Sequence, residues 1–166
     1  MIIKYYELEK KINSKNKFFL LYGNNSGLIK ETIEINLKPI LFKEIFNYEE
    51  NEVVNNLDNF KENIMNKSFF ENEKLIIITR TSDKILKIIT EIIEKRIKDV
   101  SIILTSGILD KKSKLRNFFE KSEHAVCIPF YEDNHQSLVL LVQKFLKEKK
   151  ILLSNQNINL IVERCR

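Results

Sequence analysis

The chain has 166 residues, 43% hydrophobic and 31% charged, with a formal charge of +5, three glycines, two prolines and no tryptophan. Such fractions fit a globular chain of one domain and part of a second, and exclude fibrous, low-complexity and strongly disordered classes. No stretch approaches the roughly 20 apolar residues of a bilayer span, and Lys4, Glu7, Glu9, Lys10 and Lys11 interrupt the N-terminal region, so neither a membrane span nor a secretory signal is expected.

Read in chain order, short apolar runs alternate with segments of helical period, which predicts an α/β fold with a largely parallel sheet. Phe18 to Tyr22 forms the first expected strand, followed by a helix from Leu28 to Leu37 capped by Asn25 or Ser26. Ile40-Leu41-Phe42 with Ile45-Phe46 marks a second strand. Val53, Leu57, Phe60 and Ile64 then recur at helical steps. The third strand is Leu75 to Ile78, and Ser82 or Asp83 caps a helix carrying Ile85, Ile88, Ile89, Ile92 and Ile93. Val100 to Leu104 is the fourth strand, Ser113 to Lys121 a helix, and Ala125 to Ile128 the fifth strand. The first, third and fourth are apolar enough to be buried on both faces. From Asp133 onward the pattern is helical only, with Leu138, Leu141, Val142, Phe145 and Leu146 on one face and a further helix from Asn155. Residues 1–132 thus form one expected domain and residues 133–166 an incomplete helical one, which should leave Leu160, Ile161 and Val162 partly uncovered.

Cys127 and Cys165 lie far apart, with no CxxC pair, and His124 and His135 are the only imidazoles, so no zinc site of the usual kind is expected. Both thiols read as inert residues of a reducing cytoplasm. Heavy use of Lys, Asn and Ile, with alanine only at Ala125, reflects a compositional bias that weakens charge as evidence for nucleic acid.

The turn after the first strand, Gly23-Asn24-Asn25-Ser26-Gly27-Leu28-Ile29-Lys30, stands where a P-loop NTPase carries its phosphate loop. A working loop needs G-x-x-x-x-G-K-[ST]. Here the glycines are four apart, Leu28 and Ile29 follow directly, and Lys30 is displaced. The third strand exits into Thr79-Arg80-Thr81-Ser82 without the carboxylate that would hold magnesium. Gly23, Asn24, Asn25 and Gly27 are therefore expected to form a degenerate, non-functional phosphate loop. Cys127 sits in an apolar run with no G-x-S-x-G elbow, and Glu49-Glu50 and Glu132-Asp133 read as caps or solvated faces rather than acid-base pairs.

Lys111, Lys112, Lys114 and Arg116 follow the fourth strand, where open sheets bind ligands; they are a candidate polyanion contact or a solvated helix face. Ser68-Phe69-Phe70 is the most informative local feature. With Leu57 at zero and about 100° per residue, Phe69 falls near 120° and Phe70 near 220°, off the stripe of Phe60 and Ile64. Either a continuing helix presents at least one ring to a partner, or the helix ends by Asn66 and the rings pack beneath a loop.

Four motifs together resemble one family, the delta subunit of the bacterial DNA polymerase III clamp loader (HolA). They are Phe18 to Asn25, an apolar strand with a polar turn; Lys67-Ser68-Phe69-Phe70 ahead of Leu75 to Ile78; Leu109-Asp110-Lys111-Lys112-Ser113-Lys114-Leu115; and Val126-Cys127-Ile128-Pro129-Phe130-Tyr131. The third is the most specific. The resemblance implies an AAA+ type core without ATPase activity or cofactor, then the start of a helical lid, with the family's C-terminal collar domain absent. It implies a cytoplasmic subunit of the polymerase III holoenzyme that binds the sliding clamp (beta subunit) and holds one interface open for DNA replication. Partner subunits, joined through the collar, would supply ATP hydrolysis, and contact with DNA would be indirect. The family's Leu-Phe clamp-binding pair falls on Phe69 and Phe70, with Phe in place of Leu at position 69. A nucleotide-binding P-loop enzyme with an atypical loop, or a nucleic-acid module using Lys111, Lys112, Lys114 and Arg116, are the alternatives; saturable ATP binding or salt-dependent DNA affinity would mark them.

Overall fold

The apolar runs lie side by side in one sheet. A computed structural model describes residues 1–12, 16–41, 44–65, 73–95, 97 and 99–164, and the chain divides into two units, Met1–Phe130 and Tyr131–Arg166. The first unit holds β1 (Phe18–Gly23), β2 (Glu44–Glu49), β3 (Lys74–Thr79), β4 (Val100–Ser106) and β5 (Ala125–Phe130). They run all parallel in the order β2-β3-β4-β1-β5, with Leu20 opposite both Leu104 and Cys127. Parallel strands need helical crossovers, which cover both faces of the sheet.

Alternation along each strand divides the core in two. Phe18, Leu20, Tyr22, Ile76, Ile78, Ile102 and Leu104 point to one face, where they meet α4 (Glu50–Asn55), α5 (Leu57–Met65), α6 (Leu86–Glu94) and α7 (Lys114–Lys121) through Val53, Phe60, Ile89, Leu115 and Phe119. Phe19, Leu21, Ile77, Ile103 and Ile128 point to the other, against α1 (Leu8–Lys11), α2 (Ser26–Thr32) and α3 (Lys38–Leu41). β1, β3 and β4 are buried along nearly their whole length, as their composition predicts, and so is β5. The N-terminal residues cover the outer side of β5: Ile3 N–H donates to the Cys127 carbonyl (3.0 Å) and Cys127 N–H to the Met1 carbonyl (2.9 Å).

Two elements depart from the sequence reading. Ile40 and Leu41, expected in the second strand, belong to α3, and β2 begins only at Glu44; Phe42 lies outside the described residues. The reason is a face that continues through the whole segment: Ile29, Ile33, Leu37 and Leu41 are buried at four-residue steps. The helix survives Pro39 because Ile33–Leu37 forms a widened π turn. A proline ring crowds the carbonyl four residues back, and the extra residue in the turn relieves that clash. The helix expected around Val53 to Ile64 is likewise two helices, separated at Asn56, whose φ of −127° and ψ of 50° leave the helical region.

In the second unit, α8 (His135–Glu148) is capped by the Asn134 side chain, which accepts from Ser137 N–H, and it packs on α9 (Asn155–Arg164). Leu146, Ile158 and Val162 are buried, while Leu141, Phe145 and Leu160 are exposed. Leu160 and Ile161 are uncovered as expected. Val162 is not: it lies one turn beyond Ile158 on the same buried face of α9.

Candidate functional site

The C-terminal ends of β1 to β4 open into a cleft of about 800 Å³, lined by the β1 turn and by residues that include Lys30, Glu49, Thr79 and Arg80. Such an edge is where open α/β sheets bind ligands. Of the expected phosphate loop, Gly23 ends β1 and Gly27 lies in the first turn of α2, both lining the cleft, and Asn24 and Asn25 join the two elements. Gly23 has φ of +137°, and a Cβ on it would stand 1.9 Å from the Phe130 carbonyl oxygen, so its side is closed by β5 rather than open to a phosphate. Its N–H donates to the Gly107 carbonyl at 3.0 Å. Asn25 caps α2, its Oδ1 accepting from Leu28 N–H at 3.1 Å, and Ser26 N–H donates to the Asn24 carbonyl at 2.9 Å. A loop that wraps phosphate offers those amides outward; here part of the set bonds within the turn. Ile29 is buried in the core and Lys30 stands exposed at the rim.

At the end of β3 the polar groups are also spent on the fold. Thr79 Oγ1 donates to the Tyr48 carbonyl (3.3 Å), Thr81 N–H and Oγ1 to the Thr105 carbonyl (2.9 and 3.1 Å), and Ser106 Oγ to the Thr81 carbonyl (2.6 Å). Arg80 adopts a left-handed φ of 57° and pairs with Glu49 at 3.1 Å. Lys38 pairs with Glu34. Among the described residues no group of three His, Cys, Asp or Glu side chains is placed to hold a metal ion.

Two carboxylates that the sequence offered as local caps or solvated faces, Glu50 and Asp83, each tie distant elements together here. Glu50, 5% exposed at the start of α4, accepts from the N–H (2.7 Å) and Oγ of Ser82 and ties α4 to the exit of β3. Asp83 reaches the first turn of α7, accepting from Leu115 N–H (2.9 Å), Lys114 N–H (3.0 Å) and Ser113 Oγ (2.7 Å). Those bonds, that to Leu115 foremost, hold its carboxyl below the usual range. The helix end that follows Lys111 and Lys112 therefore already carries an anion of its own.

The basic run is divided by this arrangement. Lys111, Lys112 and Lys114 are exposed. Arg116 turns inward: it pairs with Glu120 at 2.7 Å, donates to the Leu109 carbonyl at 3.0 Å and lies 5.1 Å over the Tyr22 ring. Cys127 is fully buried, and burial, with the charge of Glu120 nearby, pushes its thiol up to about 12; Cys165 lies outside the described residues. His124 and His135 belong to different units. Phe69 and Phe70 fall within residues 66–72, which are outside the described residues. Among the described residues, α5 spans Leu57–Met65.

No protein-family model matches the chain, and no curated protein matches it in sequence. Among solved structures it is similar to the Bacillus subtilis DNA clamp loader delta protein (YqeN), at 16% identity and a TM-score of 0.65, over 95% of this chain and 50% of that one. It also aligns with domain III of the Thermotoga maritima replication initiation protein DnaA, at 15% identity and a TM-score of 0.47, over 96% of this chain and 72% of that one. The chain thus spans about half the length of the clamp loader delta protein it matches. Its fold is similar to that of the delta protein over nearly the whole chain, a parallel α/β fold of the kind that the alternation of apolar runs and helical segments predicts.

Proposed function

We propose that this chain is a delta-type clamp-loader subunit of DNA polymerase III that binds the sliding clamp, the beta subunit, and helps hold its ring open for loading onto primed DNA. The observation that carries this reading is the likeness of 95% of the chain to a clamp loader delta protein. The spent turn at Gly23 to Gly27 fits a subunit that works by binding rather than by hydrolysis: the Lys and the magnesium carboxylate of a working loop have no counterpart, and Gly23 packs against β5. Partner subunits would supply the ATP hydrolysis in a cytoplasmic holoenzyme, and contact with DNA would be indirect.

Phe69 and Phe70 are the proposed anchors. Two neighbouring rings bury a few hundred Å² in a partner's pocket, and at about 25 cal/mol per Å² that is several kcal/mol before the costs of association. Phe at position 69 makes the anchor bulkier than Leu, which an apolar pocket accommodates by repacking. The test is direct binding of the 166-residue chain to the purified sliding clamp of the same organism, measured by surface plasmon resonance with Mg-ATP absent. Saturable, ATP-independent binding supports the reading. No binding to an intact clamp ring, or binding only with ATP, would sink it.

A further inference from the structure

We propose that one face of α7 is a contact for the sugar–phosphate backbone of single-stranded nucleic acid, with Lys114 and Lys121 on phosphates and Phe118 as the apolar surface between them. The proposal does not rest on clamp binding, and it adds a direct contact to the indirect one expected through partner subunits. Lys114, Asn117, Phe118 and Lys121 follow one another at three- and four-residue steps, so they share one face of the helix, and with Ser122 they line a groove of about 540 Å³. Phe118 is half-buried there, backed by the core and meeting the Phe119 ring edge-on at 5.8 Å.

Charge alone says little in a lysine-rich chain; what sets this face apart is that nothing neutralises it. Elsewhere a glutamate stands four residues ahead of a lysine and pairs with it, Glu7 with Lys11, Glu34 with Lys38 and Glu91 with Lys95. In α7 the place four residues ahead of Lys121 is held by Asn117, and the place four residues after Lys114 by Phe118. Glu120, the carboxylate within the helix, is taken by Arg116 at 2.7 Å. Asp83 is filled by Ser113 Oγ and by the N–H groups of Lys114 and Leu115, so the contact is made by side chains along the helix and not by its N-terminus. Asp110 and Glu123 stand beyond the two ends of the row. Lys111, Lys112, Lys114 and Lys121 are exposed, and none of them has an ion pair among the described residues. Asn117 Nδ2 donates to the carbonyls of Lys111 and Ser113, both at 2.8 Å, and holds the turn that carries Lys111 and Lys112 against the same helix. That turn is placed before a ligand arrives, which lowers the ordering cost of binding.

Seven residues of helix set Lys114 and Lys121 about 10.5 Å apart along its axis, the rise of about three nucleotides at roughly 3.4 Å each along one strand. Single-strand sites without sequence preference combine such a row of cations with an aromatic ring on which a base packs. An acidic protein segment would use the cations and not the ring. Arg116, which the sequence grouped with these lysines, turns inward, and Lys121 takes its place in the row.

The test uses the 166-residue chain and a fluorescein-labelled oligothymidylate of about 15 nucleotides, followed by fluorescence anisotropy between about 50 and 200 mM salt. The expected result is saturable binding whose log affinity falls with log salt at a slope of about −0.7 for each phosphate contacted. Lys114→Gln with Lys121→Gln should weaken it roughly tenfold or more at low salt and make the slope shallower by about 1.4, the share of two phosphates. Phe118→Leu should weaken binding with the slope unchanged. Lys144→Gln with Lys147→Gln, which removes the same charge from α8, should leave affinity within about threefold. All these lysines are exposed, so their variants should melt as the unaltered chain does. Absence of salt-dependent binding by the unaltered chain, an equal loss in the α8 pair, or displacement of the oligonucleotide by polyglutamate at equal charge concentration would overturn the inference.

Discussion

Replacing Gly23 by alanine tests whether the turn after β1 is built for packing or for phosphate. Two costs add. The φ of +137° lies in a region that L side chains rarely adopt, worth about 1–3 kcal/mol. The new Cβ would stand 1.9 Å from the Phe130 carbonyl oxygen and 2.7 Å from its carbonyl carbon, both inside the 3.0 Å that real Cβ contacts respect and the first by more than an ångström. The obstacle is backbone, so β1 and β5 have to part where Gly23 pairs with Phe130 and where Gly23 N–H meets the Gly107 carbonyl. Overpacking of this kind costs about 1–3 kcal/mol more. A total of about 2–6 kcal/mol corresponds, for a unit of this size, to a fall in melting temperature on the order of 6–25 °C. Thermal unfolding followed by circular dichroism reads it, and hydrogen exchange should place the loss at the ends of β1 and β5. A Gly23→Ala variant that melts within about 3 °C of the unaltered chain would refute the reasoning.

Calorimetry with Mg-ATP should show no micromolar binding, because the turn lacks the Lys and the magnesium carboxylate and bonds part of its amide set internally. Glu91 is held down to about 2 from an ordinary value of 4.5, chiefly by its hydrogen bond to Lys61 and next by that to Lys95. A depressed carboxylate stabilises the fold above its unfolded value and loses that contribution as the pH falls, so the loss belongs between about pH 4.5 and 2. Chemical denaturation across that window should show a smaller acid slope for Glu91→Gln than for the unaltered chain; identical slopes would contradict the pairing. In a Cys165→Ser background, Cys127 should resist Ellman's reagent in the folded state and react fully in denaturant, since burial pushes its thiol up to about 12; rapid labelling of the folded protein would count against that burial.

Most of the scaffold was legible because a parallel sheet writes itself as continuous apolar runs: Leu75 to Ile78 and Val100 to Leu104 have no second use in a chain of this composition. The misassigned Ile40 and Leu41 show where that signal fails, since a short apolar run such as Ile40-Leu41-Phe42 fits either period, and Leu37 and Leu41 four residues apart decide for a helix. Asn25 and Ser82 were readable as cap candidates because a cap is local. The partners of Asp83 and Glu50, read only as local cap or surface candidates, were not, because each serves an element 31 or 32 residues away in sequence. The inward turn of Arg116 was hidden for a similar reason: it depends on Tyr22, which only the β1–β4–β5 register brings close. Phe69 and Phe70 stood out by their conflict with the stripe of Phe60 and Ile64, and they lie outside the described residues.

Clamp affinity and melting temperature, measured together on Phe69→Ala and Phe70→Ala, test the central claim most directly. As binding anchors, each ring should cost roughly 2 kcal/mol or more of clamp affinity while the melting temperature stays nearly unchanged, because exposed rings contribute little to the fold. Core rings would behave in reverse, costing about 3–5 kcal/mol of folding stability on truncation. Variants that bind weakly and melt normally are the predicted result; variants that melt early yet bind the clamp normally once folded would contradict it.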